Sequence, residues 1–204
     1  HNNRTSYSSP KQVGTNTNWG EVSAAGGSFG AVKTDGTLWM CGRNTWGEIG
    51  RNIRGDGGAD TWEGQISSPS QVGTDTTWNR ISGSYNSYAA IKTDGTMWVW
   101  GYGGYGMLGL NVGADTGSYS RSSPTQIPGT NWAYVKPMNM SWIATKTNGT
   151  LWAWGYQSGG QGKGKLGLNN NTTISSPTQV PGTTWDISNL TSTAGTYTIG
   201  AFKG

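Results

Sequence analysis

Short apolar runs separated by polar turns recur along this chain in a fixed order. Phe29–Thr34, Tyr88–Thr93 and Trp142–Thr147 alternate as strands do, and so do Thr37–Cys41, Thr96–Trp100 and Thr150–Trp154. Asp35-Gly36, Asp94-Gly95 and Asn148-Gly149 stand between the members of each pair. These dipeptides predict tight hairpins of type I′, and the Asn in the third copy points to a backbone role, since Asp and Asn both tolerate left-handed geometry. Ahead of each hairpin, Glu21-Val22-Ser23, Arg80-Ile81-Ser82 and Tyr134-Val135-Lys136 predict a short strand. Earlier still, Gln12-Val13, Gln71-Val72, Gln126-Ile127 and Gln179-Val180 predict an edge strand whose start tolerates the preceding Ser-Ser-Pro.

The order of these runs is a repeat. Pro10, Pro69, Pro124 and Pro177 are spaced 59, 55 and 53 residues apart, and each is followed by a lone tryptophan, Trp19, Trp78, Trp132 or Trp185. Self-similarity at this period means one supersecondary unit copied in tandem. Taking Ser-Ser-Pro as the opening, the repeats run over about 8–66, 67–121 and 122–174, with a partial copy at 175–204. Leu168–Pro177 aligns without a gap on the segment before Pro10, so the chain is expected to begin in mid-repeat. It ends near a third strand, giving about three and a half units. An open half ring exposes apolar sheet faces, so the expected cover is the rest of a longer polypeptide, a second copy, or another protein.

Composition agrees with an all-β chain rich in corners. Of 204 residues, 35 are Gly, 12 are Trp and 9 are Tyr, while 32% are hydrophobic and 12% charged. Core material is thus concentrated in a few large rings, unlike the charge-rich, aromatic-poor profile of disordered chains. Nine of the tryptophans occupy the lone-Trp or fourth-strand positions, and Trp142 shares a slot with Phe29 and Tyr88. The in-register Lys33, Lys92 and Lys146 read as solvated strand ends, and Cys41, standing where Trp100 and Trp154 stand, reads as a buried spacer. Net charge is +4, without a compact basic run interleaved with aromatics, so nucleic acid is not an expected partner. No apolar run reaches the length of a membrane span.

Trp100-Gly101 through Gly106-Met107-Leu108-Gly109, with its looser copy Trp154-Gly155 through Gly164-Lys165-Leu166-Gly167, resembles the regulator of chromosome condensation repeat, as does Lys33-Thr34-Asp35-Gly36-Thr37-Leu38-Trp39. The resemblance implies a partial β-propeller, about three and a half four-stranded blades of a ring of about seven. The wording Ser176-Pro177-Thr178-Gln179-Val180-Pro181-Gly182 looks most like versions in bacterial surface and phage virion proteins. The founding member acts on a small GTPase and binds chromatin, but its repeats place a histidine before the third strand, where this chain has Gly27-Ser28, Ser87 and Ser141. That activity is therefore not carried over.

Catalytic chemistry finds no candidates. The one histidine is His1, and Gly101–Gly106 lacks the helix pattern a dinucleotide loop needs. No cofactor is called for. Carboxylates at Asp56, Asp60 and Glu63 do not match a calcium loop, so no metal site is assigned. The connections after each fourth strand are the expected working parts. Their aromatics, Trp46, Trp62, Tyr102, Tyr105, Tyr119 and Tyr156, are candidate anchors for a protein or receptor partner, with Arg43, Arg51, Arg54, Arg121, Lys163 and Lys165 as a basic rim. The expected function is rigid, non-enzymatic loop display on a virion or microbial surface. A regulatory propeller acting on a GTPase or chromatin, and a lectin, stand as alternatives.

Overall fold

The computed structural model describes residues 8–54, 64–113, 119–157 and 163–190, with the backbone of 202–203. Three antiparallel four-stranded sheets follow one another along the chain. The first holds β1 (Trp19–Ala25), β2 (Ser28–Lys33), β3 (Leu38–Gly42) and β4 (Ile66–Gln71). The second holds β5 (Trp78–Ser84), β6 (Ser87–Lys92), β7 (Met97–Gly101) and β8 (Arg121–Ile127). The third holds β9 (Trp132–Met138), β10 (Ser141–Lys146), β11 (Leu151–Gly155) and β12 (Ile174–Val180). A fourth begins with β13 (Trp185–Asp186) against β14 (Phe202–Lys203), where Trp185 faces Lys203 as Trp19 faces Lys33. This is the all-β propeller architecture, one sheet per blade, and among the described residues helix is confined to a single 3-10 turn at Gly104–Gly106.

The sheets divide the chain differently from the Ser-Ser-Pro frame. Pro69, Pro124 and Pro177 lie inside β4, β8 and β12, which close the preceding sheet. Proline survives there for two reasons. The strand is outermost, and its pairing slips at that point, between Met40 and Gly42, Val99 and Gly101, and Ala153 and Gly155. The missing N–H falls where the ladder is already broken. Gln12-Val13 is in no strand among the described residues.

The hairpins form as expected, but with a different turn. Gly36 N–H donates to the Lys33 carbonyl at 2.9 Å, and Lys33 N–H to the Thr37 carbonyl at 2.9 Å, which leaves a three-residue loop. Only its glycine is left-handed, with φ of 78°, 77° and 75° at Gly36, Gly95 and Gly149. The turn is therefore the type I plus glycine-bulge hairpin rather than type I′. The Asp and Asn serve through their side chains. Asp35 Oδ1 accepts the Thr37 amide at 3.0 Å and the Thr37 hydroxyl at 2.6 Å, and Thr37 Oγ1 accepts Trp39 Nε1–H at 2.8 Å. The same relay links Asp94, Thr96 and Trp98, and Asn148, Thr150 and Trp152. Each turn also grips the next sheet: the amides of Trp78, Trp132 and Trp185 donate to the carbonyls of Gly36, Gly95 and Gly149 at 3.0, 3.0 and 2.9 Å.

The core lies between sheets. β1 packs on β5 and β5 on β9, so the first strands converge on the inner side and β4, β8 and β12 form the outer rim. Leu38, Met40, Ile81, Tyr88 and Trp100 fill the first interface, and Val99, Leu108, Ile127, Trp142 and Trp154 the second. Trp100 stacks on its cross-strand partner Tyr88 at 5.7 Å and reaches back to donate its Nε1–H to the Glu48 carbonyl at 2.8 Å. Trp154 repeats this with Trp142 and the Met107 carbonyl, at 6.5 and 3.1 Å. Cys41, in the same slot, is buried and donates to the Ile66 carbonyl. Val22 on β1 is 61% exposed, whereas its counterparts Ile81 and Val135 are 2% and 3% exposed, because β1 and β5 cover them.

The lysines correct the reading of solvated strand ends. Lys33 Nζ lies 4.8 Å from the Trp19 ring centre and 4.0 Å from Trp39. Lys92 sits likewise between Trp78 and Trp98, and Lys146 between Trp132 and Trp152. An ammonium framed by two indoles gains from both ring faces while its alkyl stem covers apolar surface. Lys92 also pairs with Asp75 at 2.5 Å.

That pair makes a pH prediction. The Lys92 ammonium first, and then the Thr77 hydroxyl, lower the Asp75 carboxyl from 3.8 to about 2. A carboxyl whose folded value is depressed contributes stability above its unfolded value, and the contribution disappears as pH falls through the folded value. The stability difference between wild type and Asp75→Asn should therefore be constant above about pH 4.5 and shrink progressively as pH falls from there through about 2, as read from urea midpoints across that range. An unchanged difference at pH 2 would show that Asp75 acts without its charge.

Candidate functional site

The β1–β2 and equivalent turns, and the long connections after β3, β7 and β11, leave the sheets at the end opposite the Asp-Gly turns. There the candidate aromatics meet in pairs. Trp46, from the first connection, packs edge-on against Tyr102, from the second, at 5.0 Å. Tyr105, from the second, packs edge-on against Tyr156, from the third, at 4.8 Å. The pairs are equivalent. Trp46 and Tyr105 each stand four residues after the glycine that ends the fourth-position strand (Gly42, Gly101), and Tyr102 and Tyr156 stand one residue after theirs (Gly101, Gly155). These four rings thus belong to the repeat, as clasps between neighbouring blades.

Buried polar groups hold the first and third loops in shape. Asn44 donates to the Ile53 carbonyl and accepts the Ile49 amide, at 2.9 and 3.0 Å, clipping the first connection closed. Gln157, two residues past Gly155 as Asn44 is past Gly42, holds the third by donating to Asn170 Oδ1 and the Thr172 carbonyl, at 2.6 and 2.7 Å. In the second, Gly103 takes the place of that side chain, and a Cβ there would lie 2.1 Å from the Tyr119 carbonyl oxygen. Glu48 is buried, accepts the Trp46 amide at 2.7 Å and so sets the ring's position; burial pushes its carboxyl up.

Tyr85, at the β5–β6 turn, completes the first cluster. It lies 5.8 Å from Tyr102 and is 46% exposed, with a left-handed φ of 54°. Sequence reasoning confined to the long connections missed it, although an aromatic at a two-residue turn between predicted strands is a legible signal. Cations border both clusters. The Arg54 guanidinium lies 5.5 Å from Trp46, and Lys165 Nζ lies 5.6 Å from Tyr156 while donating to the Asn139 carbonyl. Burial lowers Lys165 to about 8. Tyr102 is pushed up, by burial first and then by Tyr105 and Tyr85. Arg43 is turned to Thr45, and Arg121 to the carbonyls of Tyr119 and Ser120.

Tyr119 is apart from these clusters, its ring against Gly113. Trp62 and the carboxylates at Asp56, Asp60 and Glu63 lie outside the described residues. Among the described residues no group of His, Cys, Asp and Glu could hold a metal ion, and no helix is long and apolar enough to cross a membrane. The arrangement suits recognition: rings for contact area at low entropy cost, with cations beside them.

No family model matches the sequence. Solved structures share its fold. Prp20p from Saccharomyces cerevisiae, described with its binding to Gsp1p and histones, superposes with a TM-score of 0.65 at 16% identity, over 81% of this chain and 39% of that one. Human WBSCR16 gives 0.67 at 21% identity, over 86% and 43%. Yeast RCC1 (Prp20) bound to Kap60 gives 0.63 at 18%, over 81% and 37%. The chain thus spans well under half the length of these propellers.

Proposed function

We propose that this chain, which has the β-propeller fold of the regulator of chromosome condensation repeat, is a non-catalytic module that binds a protein partner through its aromatic loop face. The observation behind this reading is the cluster of Tyr85, Tyr102 and Trp46, rings from three loops on two blades, with Arg54 beside it. The paired rings clasp neighbouring blades, so a partner would meet rings already held in place by one another.

Tyr85 is the test, because it is exposed where the other rings also hold blades together. With the partner identified by cross-linking in the native source, Tyr85→Ala should weaken binding by about tenfold or more and leave the melting temperature unchanged. Undiminished affinity would place the interface elsewhere. The proposed setting is a virion or microbial surface, on the wording of the repeats, and mass spectrometry of purified particles or shaved cells is the check. The open first sheet around Val22 is proposed to be covered by the rest of a longer chain or by a second copy. A regulatory role on a small GTPase or chromatin is a second reading. It rests on the fold likeness to Prp20p, which binds Gsp1p and histones, and requires nucleotide exchange or salt-sensitive DNA binding. A lectin would show in a glycan array through the same rings.

A further inference from the structure

We infer that the groove between the second and third sheets is a receptor site for an acidic side chain of a partner peptide, and that Asp75 is the chain's own copy of that ligand. The site is separate from the loop face and stands or falls independently of it. Three equivalent lysines, Lys33, Lys92 and Lys146, each sit between two indoles. Among the described residues only Lys92 has a carboxylate partner. That partner, Asp75, comes from the connector between β4 and β5, where the Thr77 amide and hydroxyl hold the same carboxylate through its other oxygen, at 2.9 and 2.6 Å.

The other two connectors lack this residue. Before the first sheet the aligned position is Asn16, and Lys33 is itself closed off at 7% exposure. Between β8 and β9 the connector is one residue shorter and carries Gly129. A Cβ built on Gly129 would lie 3.5 Å from Lys146 Nζ, so the backbone comes up to the ammonium without presenting a side chain to it. Lys146 instead lines a groove of about 340 Å³ with Trp132, Trp152, Leu110, Pro128 and Pro177, and no acidic residue lines it. An entering carboxylate would meet a cation held in place by two rings, and the apolar walls would cover the peptide carbons beside it. A charge-assisted bond to a preorganised ammonium is the strong kind.

The probe is the blocked pentapeptide Gly-Thr-Asp-Thr-Thr, the wording of residues 73–77, with its Asp-to-Asn counterpart as control. Titration followed by the indole resonances of Trp132 and Trp152 should saturate with a dissociation constant of about a millimolar, and the Asn peptide should bind at least tenfold more weakly. Lys146→Met should abolish the response, and Lys146→Arg should keep it. Asp75→Gly, which leaves Lys92 facing a connector glycine as Lys146 faces Gly129, should raise the stoichiometry from one site to two, a readout that does not depend on the Lys146 variants folding. Equal binding of both peptides, a response surviving in folded Lys146→Met, or an unchanged stoichiometry in Asp75→Gly would overturn the assignment.

Discussion

Trp100→Ala should cost about 3–5 kcal/mol of stability, the range for truncating a large buried ring. The ring is fully buried, stacks on Tyr88, meets Trp78 edge-on at 6.4 Å, and is hydrogen-bonded to the Glu48 carbonyl of the previous blade's loop. The loss therefore falls on the contact between blades as well as on one sheet. Trp100→Phe keeps most of the volume but leaves the Glu48 carbonyl without its donor, and should cost about 1–3 kcal/mol. Urea denaturation of the three proteins checks the order. If alanine and phenylalanine cost the same, packing is not what the indole contributes.

Gly36→Ala should be nearly as damaging although the site is at a turn. A Cβ there would stand 1.9 Å from the Thr76 carbonyl oxygen, and its left-handed φ of 78° already disfavours any side chain. The backbone would have to move away from the connector, losing the Trp78 amide bond to the Gly36 carbonyl. The expected cost is about 3 kcal/mol or more, combining a left-handed penalty of about 1–2 kcal/mol with a broken hydrogen bond and its clash. Gly73 is the control. Its φ is 62° and nothing lies within 4 Å of a built Cβ, so Gly73→Ala should show the conformational penalty alone. Equal melting temperatures for the two variants would mean that the hairpin's close approach to the next blade contributes nothing.

Much of the fold was legible because its determinants are local. An Asp-Gly between alternating apolar runs forces a hairpin whatever surrounds it, and copies of that hairpin at one period require a stacked array. The aromatic slot of Phe29, Tyr88 and Trp142 was readable for the same reason. The candidate rings were legible as residues, but their pairing was not, since Trp46 and Tyr102 are 56 positions apart in sequence and meet only across a blade interface.

The sequence by itself determined three strands of each four-stranded sheet, the hairpin positions, the repeat and the identity of the rings available for contact. It did not determine which strand closes which sheet: the Ser-Ser-Pro segment joins the preceding sheet because the free edge of β3, β7 or β11 is hydrogen-bonded by the next stretch of chain to pass it. The turn type was encoded locally and misread: Asp35 Oδ1 accepts both the amide and the hydroxyl of Thr37, two residues on, in a loop whose one left-handed residue is Gly36. Only the tertiary structure put Lys33, Lys92 and Lys146 between indoles, gave Lys92 a carboxylate and left Lys146 on an open groove. Each of those depends on distances between residues far apart in the chain, which no local pattern encodes.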